Sequence, residues 1–175
     1  MDMTLFPTKG NLIIAKNALK LSRQGYDLLD KKRNILIREM MLLIDRAQDI
    51  QSKINNAYKE AYAALQNANI SMGISRVMEI AECIDVDDTL DIKYRSVMGV
   101  EIPEIERVEK HSGAGYDLFN TSSQLDVAYV QFTLVKELTV ELAAVENSVY
   151  RLAENIKKTQ KRANSLKNVN IPKYE

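Results

Sequence analysis

Residues 25–41 read GYDLLDKKRNILIREMM, a run of apolar and charged residues without proline. Gly25 is the only glycine between residues 11 and 71, and that range also lacks proline. A second range free of both, Tyr116–Ile171, follows a middle part in which glycines cluster. Because glycine and proline mark most helix boundaries, the sequence predicts a long helix, an interrupted middle and a second long helix.

The apolar residues of both ranges repeat with the period of a coiled coil. Alternating steps of three and four residues from Leu12 to Ala64 reach an apolar residue at every position except Ser22 and Arg33. The same steps from Val135 to Leu166 miss only at Thr159. Such stripes need a partner helix. We therefore predict a mainly α fold, a long antiparallel two-helix coiled coil in which paired residue numbers add to about 190.

The predicted organisation has five parts. They are an N-terminal segment (1–10), a first coiled-coil helix (11–70), a middle domain (71–121), a second coiled-coil helix (122–168) and a C-terminal end (169–175). Ser122 or Ser123 is the expected N-cap of the second helix, and Asp126 suits its positive N-terminal dipole. Gly25 has two interpretations, close helix packing or a local bend, and it costs about 1 kcal/mol relative to alanine.

The middle domain shows a different period. Leu90, Ile92 and Tyr94 alternate with polar residues, and Val100 and Ile102 do so again after Gly99. This is the period of β-strands, so we predict a short β-hairpin near 89–107 with Gly99 in its turn. Proline at 103 restricts the second strand to an edge or to its own end.

Composition argues against several classes of function. Lysine plus arginine equals aspartate plus glutamate, 24 each, so the chain has no basic excess for nucleic acid. Cys83 and His111 are the only residues of their types, which removes most metal and nucleophile–base sites. We expect Cys83 to be a small core residue and His111 an exposed loop residue. No catalytic, cofactor-binding or metal-binding residue is predicted, and no signal peptide or membrane span is visible.

Two basic clusters remain, Lys31-Lys32-Arg33 and KKTQKR (Lys157–Arg162), which contains Lys161 and Arg162. They fit a solvated helix face or a contact with acidic loops of a protein partner. A nucleic-acid-binding rod is a weaker interpretation, because aromatic residues are not interleaved with the basic ones.

Three stretches of the chain carry motifs that resemble those of one known protein family. The stretch FPTKGNLIIAKNALKLSRQGYDLLDKKRNIL resembles the N-terminal helix of that family through Pro7-Thr8-Lys9 and through Gly25, Leu28, Leu29, Lys32 and Arg33. VMGVEIP, with Gly99, Val100 and Pro103, resembles its Gly-Val-x-x-Pro segment. KRANSLKNVNIPKYE resembles its Arg-x-Asn-Ala-Leu and Ile-Pro pattern, with Ser165 in place of the alanine. Together these motifs resemble those of the D subunit of the V/A-type (vacuolar and archaeal-type) rotary ATPases. Members of that family continue past this Ile-Pro, so we expect a chain ending at Glu175 to lack their C-terminal tip.

The resemblance implies a non-catalytic central rotor shaft that couples ATP hydrolysis or synthesis to rotation of a membrane ring and to H⁺ or Na⁺ transport. The implied partners are the A and B subunits of the catalytic head, the small F subunit of the central stalk and a funnel-shaped subunit, on the cytoplasmic side and peripheral to the membrane. A stand-alone coiled-coil scaffold or adaptor is the alternative. Head-contact candidates are Thr8, Lys9, Lys31, Lys32, Arg33, Lys161 and Arg162. Candidates for contact with the small stalk subunit are Ile92, Tyr94, Val97, Gly99, Val100, Ile102 and Pro103.

Overall fold

The computed structural model describes residues 8–84, 90–107, 116 and 121–175. In chain order these form α1 (Lys9–Met72), α2 (Ile74–Glu82), β1 (Leu90–Val97), β2 (Val100–Arg107), α3 (Ser123–Ser165), a π-helical segment (Leu166–Asn170) and α4 (Ile171–Tyr174). The predicted fold class, two long helices with a short β-hairpin between them, is confirmed.

Helix α1 begins and ends where backbone chemistry requires it. Thr8 is its N-cap: the side-chain oxygen accepts the Asn11 backbone N–H at 3.3 Å, and the Thr8 carbonyl accepts that of Leu12 at 3.1 Å. These contacts satisfy donors that the first helical turn leaves free. At the other end Gly73 has φ of 87°, a conformation that favours glycine, and its N–H donates to Asn69.

The chain divides into two compact units. The first consists of Met1–Leu42, Ser96–Glu101 and Val149–Glu175, and the second of Leu43–Arg95 and Ile102–Ser148.

In the first unit, the start of α1 runs antiparallel to the end of α3. Arg33 donates to Gln160 at 2.8 Å, and Arg23 pairs with Glu175 at 2.5 Å. The residue numbers in each of these pairs add to slightly more than the predicted sum of about 190. Leu36 and Leu152, both on the predicted stripes, are fully buried. The antiparallel seam is therefore present here as the periodicity predicts.

In the second unit, the end of α1 packs against the start of α3 through two clusters. One contains Ile50, Ile54 and Val145, and the other contains Ala57, Ala61 and Val135.

Between Leu12 and Ala64, Leu12 is the only predicted α1 stripe residue that is mainly exposed, and every predicted α3 stripe residue is buried or half-buried. The steps of three and four thus identify the buried face correctly.

Helix α2 and the start of α3 close the far end of the second unit. Ala68, Val77 and Leu125 form a cluster contributed by α1, α2 and α3. Helix α3 starts at Ser123, which makes Ser122 its N-cap position, and Asp126 lies in its first turn as predicted.

The Tyr116 hydroxyl donates to Asp126 at 2.7 Å, and its ring meets the edge of Tyr129. Burial raises the pKa of the Tyr116 phenol well above its usual range, and the hydrogen bond to the Asp126 carboxylate and the charge of that group add to the effect. The neutral phenol is therefore the form that suits this site.

The hairpin is a two-stranded sheet with a two-residue turn at Met98 and Gly99. Both residues have positive φ, 51° and 78°, which is the geometry of the turn that matches the twist of the strands. The expectation that Gly99 makes the turn is confirmed. Met98 occupies the other positive-φ position, where glycine or asparagine is the usual residue.

The helix continues beyond α3 through one turn of π-helix. The Ile171 N–H donates to the Leu166 carbonyl, five residues earlier, instead of the usual four. Across residues 8–84, 90–107 and 121–175, no helix combines the length and apolarity needed to cross a lipid bilayer.

Candidate functional site

The described residues offer little for catalysis. Among them, no three histidine, cysteine, aspartate or glutamate side chains lie close enough to hold a metal ion. His111 and most of the acidic run Glu82–Asp88 lie outside the described residues.

The prediction that Cys83 is a core residue is wrong, because Cys83 is exposed. It lies just past the end of α2, whose inner face is set by Val77 and Ile80, and residue 83 falls off that face. Its thiol donates to the Glu79 carbonyl at 3.3 Å.

The Lys31-Lys32-Arg33 cluster divides between two faces of α1. Arg33 lies on the seam, with its side chain 25% exposed, and forms an ion pair with Asp30 at 2.6 Å in addition to its bond to Gln160. Lys31 is exposed and Lys32 half-exposed, and neither forms an ion pair within the part of the chain that the structure describes. Arg33 is thus committed to the chain itself, whereas the two lysines are available to a partner.

The structure brings the two predicted basic clusters together. Arg33 contacts Gln160, the residue before Lys161 and Arg162, and both of those side chains are exposed. Thr8 and Lys9 lie apart from this group, because Lys9 precedes Lys31 by about 33 Å along the helix axis. Thr8 also has a structural role as the N-cap of α1.

The hairpin candidates fall on opposite faces of the sheet. A two-residue turn places Val97 opposite Val100, so alternate residues of both strands share a face. Val100 and Ile102 are buried, whereas Ile92 and Tyr94 are exposed.

Two contacts with α3 are made by the backbone of strand β2. Within the second unit, the buried Ser148 hydroxyl lies 3.3 Å from the Pro103 carbonyl and donates to the Ala144 carbonyl at 2.8 Å. Within the first unit, Arg151 donates to the Glu101 carbonyl at 3.2 Å. Strand β2 therefore lies on α3, and its backbone carbonyls anchor it there.

The outward face of the hairpin, in the second unit, is apolar. Leu90, Ile92 and Tyr94 are about half exposed, and Pro103 and Ile105 share their face and are half-buried. We call these five residues the hairpin face. Leu90 and Ile105 were missed as candidates, although the strand period already placed them beside Ile92 and Pro103.

A further apolar surface is not among the sites that the sequence predicted. Five apolar residues of α1 in the first unit follow one another at intervals of seven and are exposed by 44–71%. They are Ile14, Leu21, Leu28, Ile35 and Leu42, and we call them the outer stripe. Their regular spacing is visible in the sequence, but the longer seam has the same period and masks it.

Comparison with known proteins identifies the family. The sequence model of the ATP synthase D subunit matches residues 11–175. The chain belongs to the ATP synthase D-subunit family. It is 44% identical over 170 residues to the V-type ATP synthase D subunit of Thermotoga neapolitana, covering 97% of this chain and 84% of that protein. It is 36% identical over 172 residues to the A-type ATP synthase D subunit of Pyrococcus abyssi, covering 97% and 80%. Membership in this family makes the chain one component of a larger complex, as the sequence motifs indicated.

Proposed function

We propose that this chain is the central rotor shaft of a V/A-type rotary ATPase or ATP synthase and has no catalytic role of its own. In this role it couples ATP hydrolysis or synthesis in a head of A and B subunits to rotation of a membrane ring and to H⁺ or Na⁺ transport. It works on the cytoplasmic side, peripheral to the membrane, and a funnel-shaped subunit joins it to the ring.

The observation that carries this proposal is the unbroken helix α1 with a nearly continuous buried stripe. It contains 64 residues, which correspond to about 96 Å at 1.5 Å per residue. A helix whose apolar stripe is packed against a second helix resists twisting better than a single helix, because turning one helix must strain the side chains of the other. Transmission of torque needs this property and no reactive group.

The head contact is proposed for Lys31 and Lys32, with Lys161 and Arg162 beside them. Acidic loops of the head would meet these cations as the shaft turns. Thr8 and Lys9 remain candidates at the start of α1. Arg33 is less suited, because its guanidinium already serves Asp30 and Gln160.

The small F subunit of the central stalk is proposed to bind the hairpin face. The buried Val100 and Ile102 hold the hairpin to the chain, and Gly99 and the half-buried Val97 shape its tip. The exposed large apolar side chains among the candidates are Ile92 and Tyr94. Exchanging Ile92 and Tyr94 for serine should weaken the complex with this small partner at least tenfold. The same exchange at Tyr150, an exposed tyrosine of α3, should leave that complex intact.

The decisive experiment for the shaft is native mass spectrometry of the chain mixed with the purified ring of A and B subunits. One copy per ring is the expected result, and a single copy should also suffice to couple ATP hydrolysis to rotation in a single-molecule assay. A chain that joins the ring in several copies, or does not join it, would refute the role of a shaft.

A further inference from the structure

The outer stripe is an apolar surface that the described residues, 8–84, 90–107, 116 and 121–175, leave largely uncovered. Its five residues lie outside both predicted seam stripes and remain exposed by at least 44%. The next residues in the same register are Asp49 and Asn56, so the apolar character stops after Leu42. A pattern that ends while the helix continues is specific to one part of α1 and is not a requirement of the coiled coil. Exposed apolar patches of this kind mark interaction sites.

Spacing indicates what shape of partner fits. Five side chains at intervals of seven extend over 28 residues, about 42 Å of helix. A helix with the same repeat keeps contact along such a line, because the interval of seven is the one that two packed helices share. Loops would contact single points and would not need the repeat.

Charge indicates the chemistry of that partner. Lys31 and Lys32 follow Leu28 by three and four residues and precede Ile35 by four and three, so one lysine borders each edge of the stripe. Arg38 borders it between Ile35 and Leu42. Gln24 is neutral, and Glu39 is the only carboxylate in these bordering positions between Leu21 and Leu42. The borders are therefore mainly cationic and complement acidic residues.

We infer that the outer stripe is the docking face for an amphipathic helix of the catalytic head, apolar along its centre and acidic along its edges. This inference rests on the proposed function, since it takes the partner from the same complex. Under this inference Lys31 and Lys32 have a different role from a purely electrostatic contact. They border an apolar contact and orient it, while Leu28 and Ile35 supply most of the binding.

The test uses the full chain and the purified ring of A and B subunits as the probe. The variant Leu28→Gln/Ile35→Gln removes two central apolar side chains. Tyr150→Gln is the control, because Tyr150 is about as exposed as Leu28, 68% against 66%, and lies on α3 in the same unit. Each buried side chain of this size contributes about 1.5–3 kcal/mol, so the double variant should raise Kd for the ring by roughly 100-fold or more. The control should stay within about twofold of the wild-type Kd.

A second pair of variants tests the charges. Lys31→Glu/Lys32→Glu should raise Kd by about tenfold at low salt and reduce its salt dependence. Lys20→Glu, on the same helix but outside the stripe and its edges, should do neither. Helix content and Tm should be unchanged in all four variants, because the altered residues are exposed or, at Lys32, half-exposed. Circular dichroism checks that the variants compared are folded.

The outcomes separate the two proposals. If the wild-type chain binds the ring and Leu28→Gln/Ile35→Gln binds equally well, the docking face is wrong and the shaft stands. If the double variant loses affinity for the small stalk partner and keeps that for the ring, the choice of partner is wrong. A wild-type dimer that the double variant dissolves, seen by analytical ultracentrifugation, would make a second copy the occupant and overturn the inference. A wild-type chain that does not bind the ring would refute the shaft itself.

Discussion

Gly25 is the seventeenth of the 64 residues of α1, an interior helix position at which glycine has a measurable cost. In a helix interior, glycine is less favourable than alanine by about 0.8–1.0 kcal/mol, because it loses more backbone freedom on folding. Either the neighbouring residues leave no room for a side chain at position 25, or the chain has room for one and tolerates the cost of glycine. The structure allows these two cases to be separated.

A methyl group placed on Gly25 would lie 3.4 Å from Cδ1 of Leu166 on the π-helical segment, and that is its nearest neighbour. This distance is at the short edge of ordinary van der Waals contact, and the neighbouring atom is the end of a side chain that can rotate. The penalty for the new methyl group is therefore small compared with the gain in helix propensity. We predict that Gly25→Ala stabilises the chain by about 0.5–1 kcal/mol.

The assay is urea unfolding followed by circular dichroism at 222 nm. With a slope of about 1–3 kcal/mol per molar urea, the transition midpoint should rise by about 0.2–1 M. Gln24→Ala, next to it and exposed, controls for a general effect of alanine and should change the unfolding free energy by less than about 0.5 kcal/mol. Gly25→Leu should destabilise by about 1–3 kcal/mol, because the longer side chain must displace Leu166.

A loss of stability in Gly25→Ala would refute this reasoning and show that the two helices cannot give way at Leu166. The bend interpretation makes a separate prediction. If the shaft must flex at Gly25, Gly25→Ala will be more stable and yet couple ATP hydrolysis to rotation less efficiently. If Gly25→Ala is more stable and couples ATP hydrolysis to rotation as well as the wild type does, the bend interpretation is wrong.

Three further predictions concern stability. Leu152→Ala should cost about 2–5 kcal/mol in urea unfolding, because Leu152 is fully buried in the seam, whereas Leu28→Ala should cost less than about 0.5 kcal/mol; equal effects would mean that Leu152 is not a core residue. Tyr116→Phe should cost about 0.5–3 kcal/mol at pH 8. Because the folded pKa of Tyr116 is raised, its contribution to stability is fully present below about pH 10 and decreases progressively above it. The gap in unfolding free energy between wild type and variant should therefore shrink at pH 11, and a constant gap would contradict the assigned hydrogen bond. Thr8→Ala should speed amide exchange in the first turn of α1 while leaving the seam protected, and restored protection in Thr8→Ser would confirm the cap.

The seam was predictable because its signal is long. Fourteen apolar residues in register outnumber the five of the outer stripe, so the longer stripe identifies the buried face. The hairpin was harder. The strand period correctly separates its two faces, but both carry apolar residues, so periodicity alone did not show that Val100 faces inward and Ile92 outward. That choice depends on how the hairpin packs in the folded chain, where β2 contacts Ser148, a residue distant in sequence.

Other features lay beyond sequence reasoning for similar physical reasons. Cys83 is small and apolar enough for a core, and its exposure depends on where α2 ends. Arg33 falls on the seam in the sequence, but its commitment to Gln160 requires knowledge of the neighbouring helix. The outer stripe could have been found, because its interval of seven stands in the sequence without any help from the structure.

The π-helical turn at Leu166–Asn170 acts as a correction to the count of residues along α3. Continuing the steps of the seam from Leu166 would place Asn170 and Lys173 against α1, two residues that suit water better. One residue is absorbed by the wider turn, and the half-buried apolar positions become Ile171 and Tyr174. The change falls just before Pro172, whose missing N–H already excludes a regular helical hydrogen bond. Two packed helices with unequal numbers of residues can thus keep their apolar residues in contact. The effect of an inserted residue at this point is confined to a single turn.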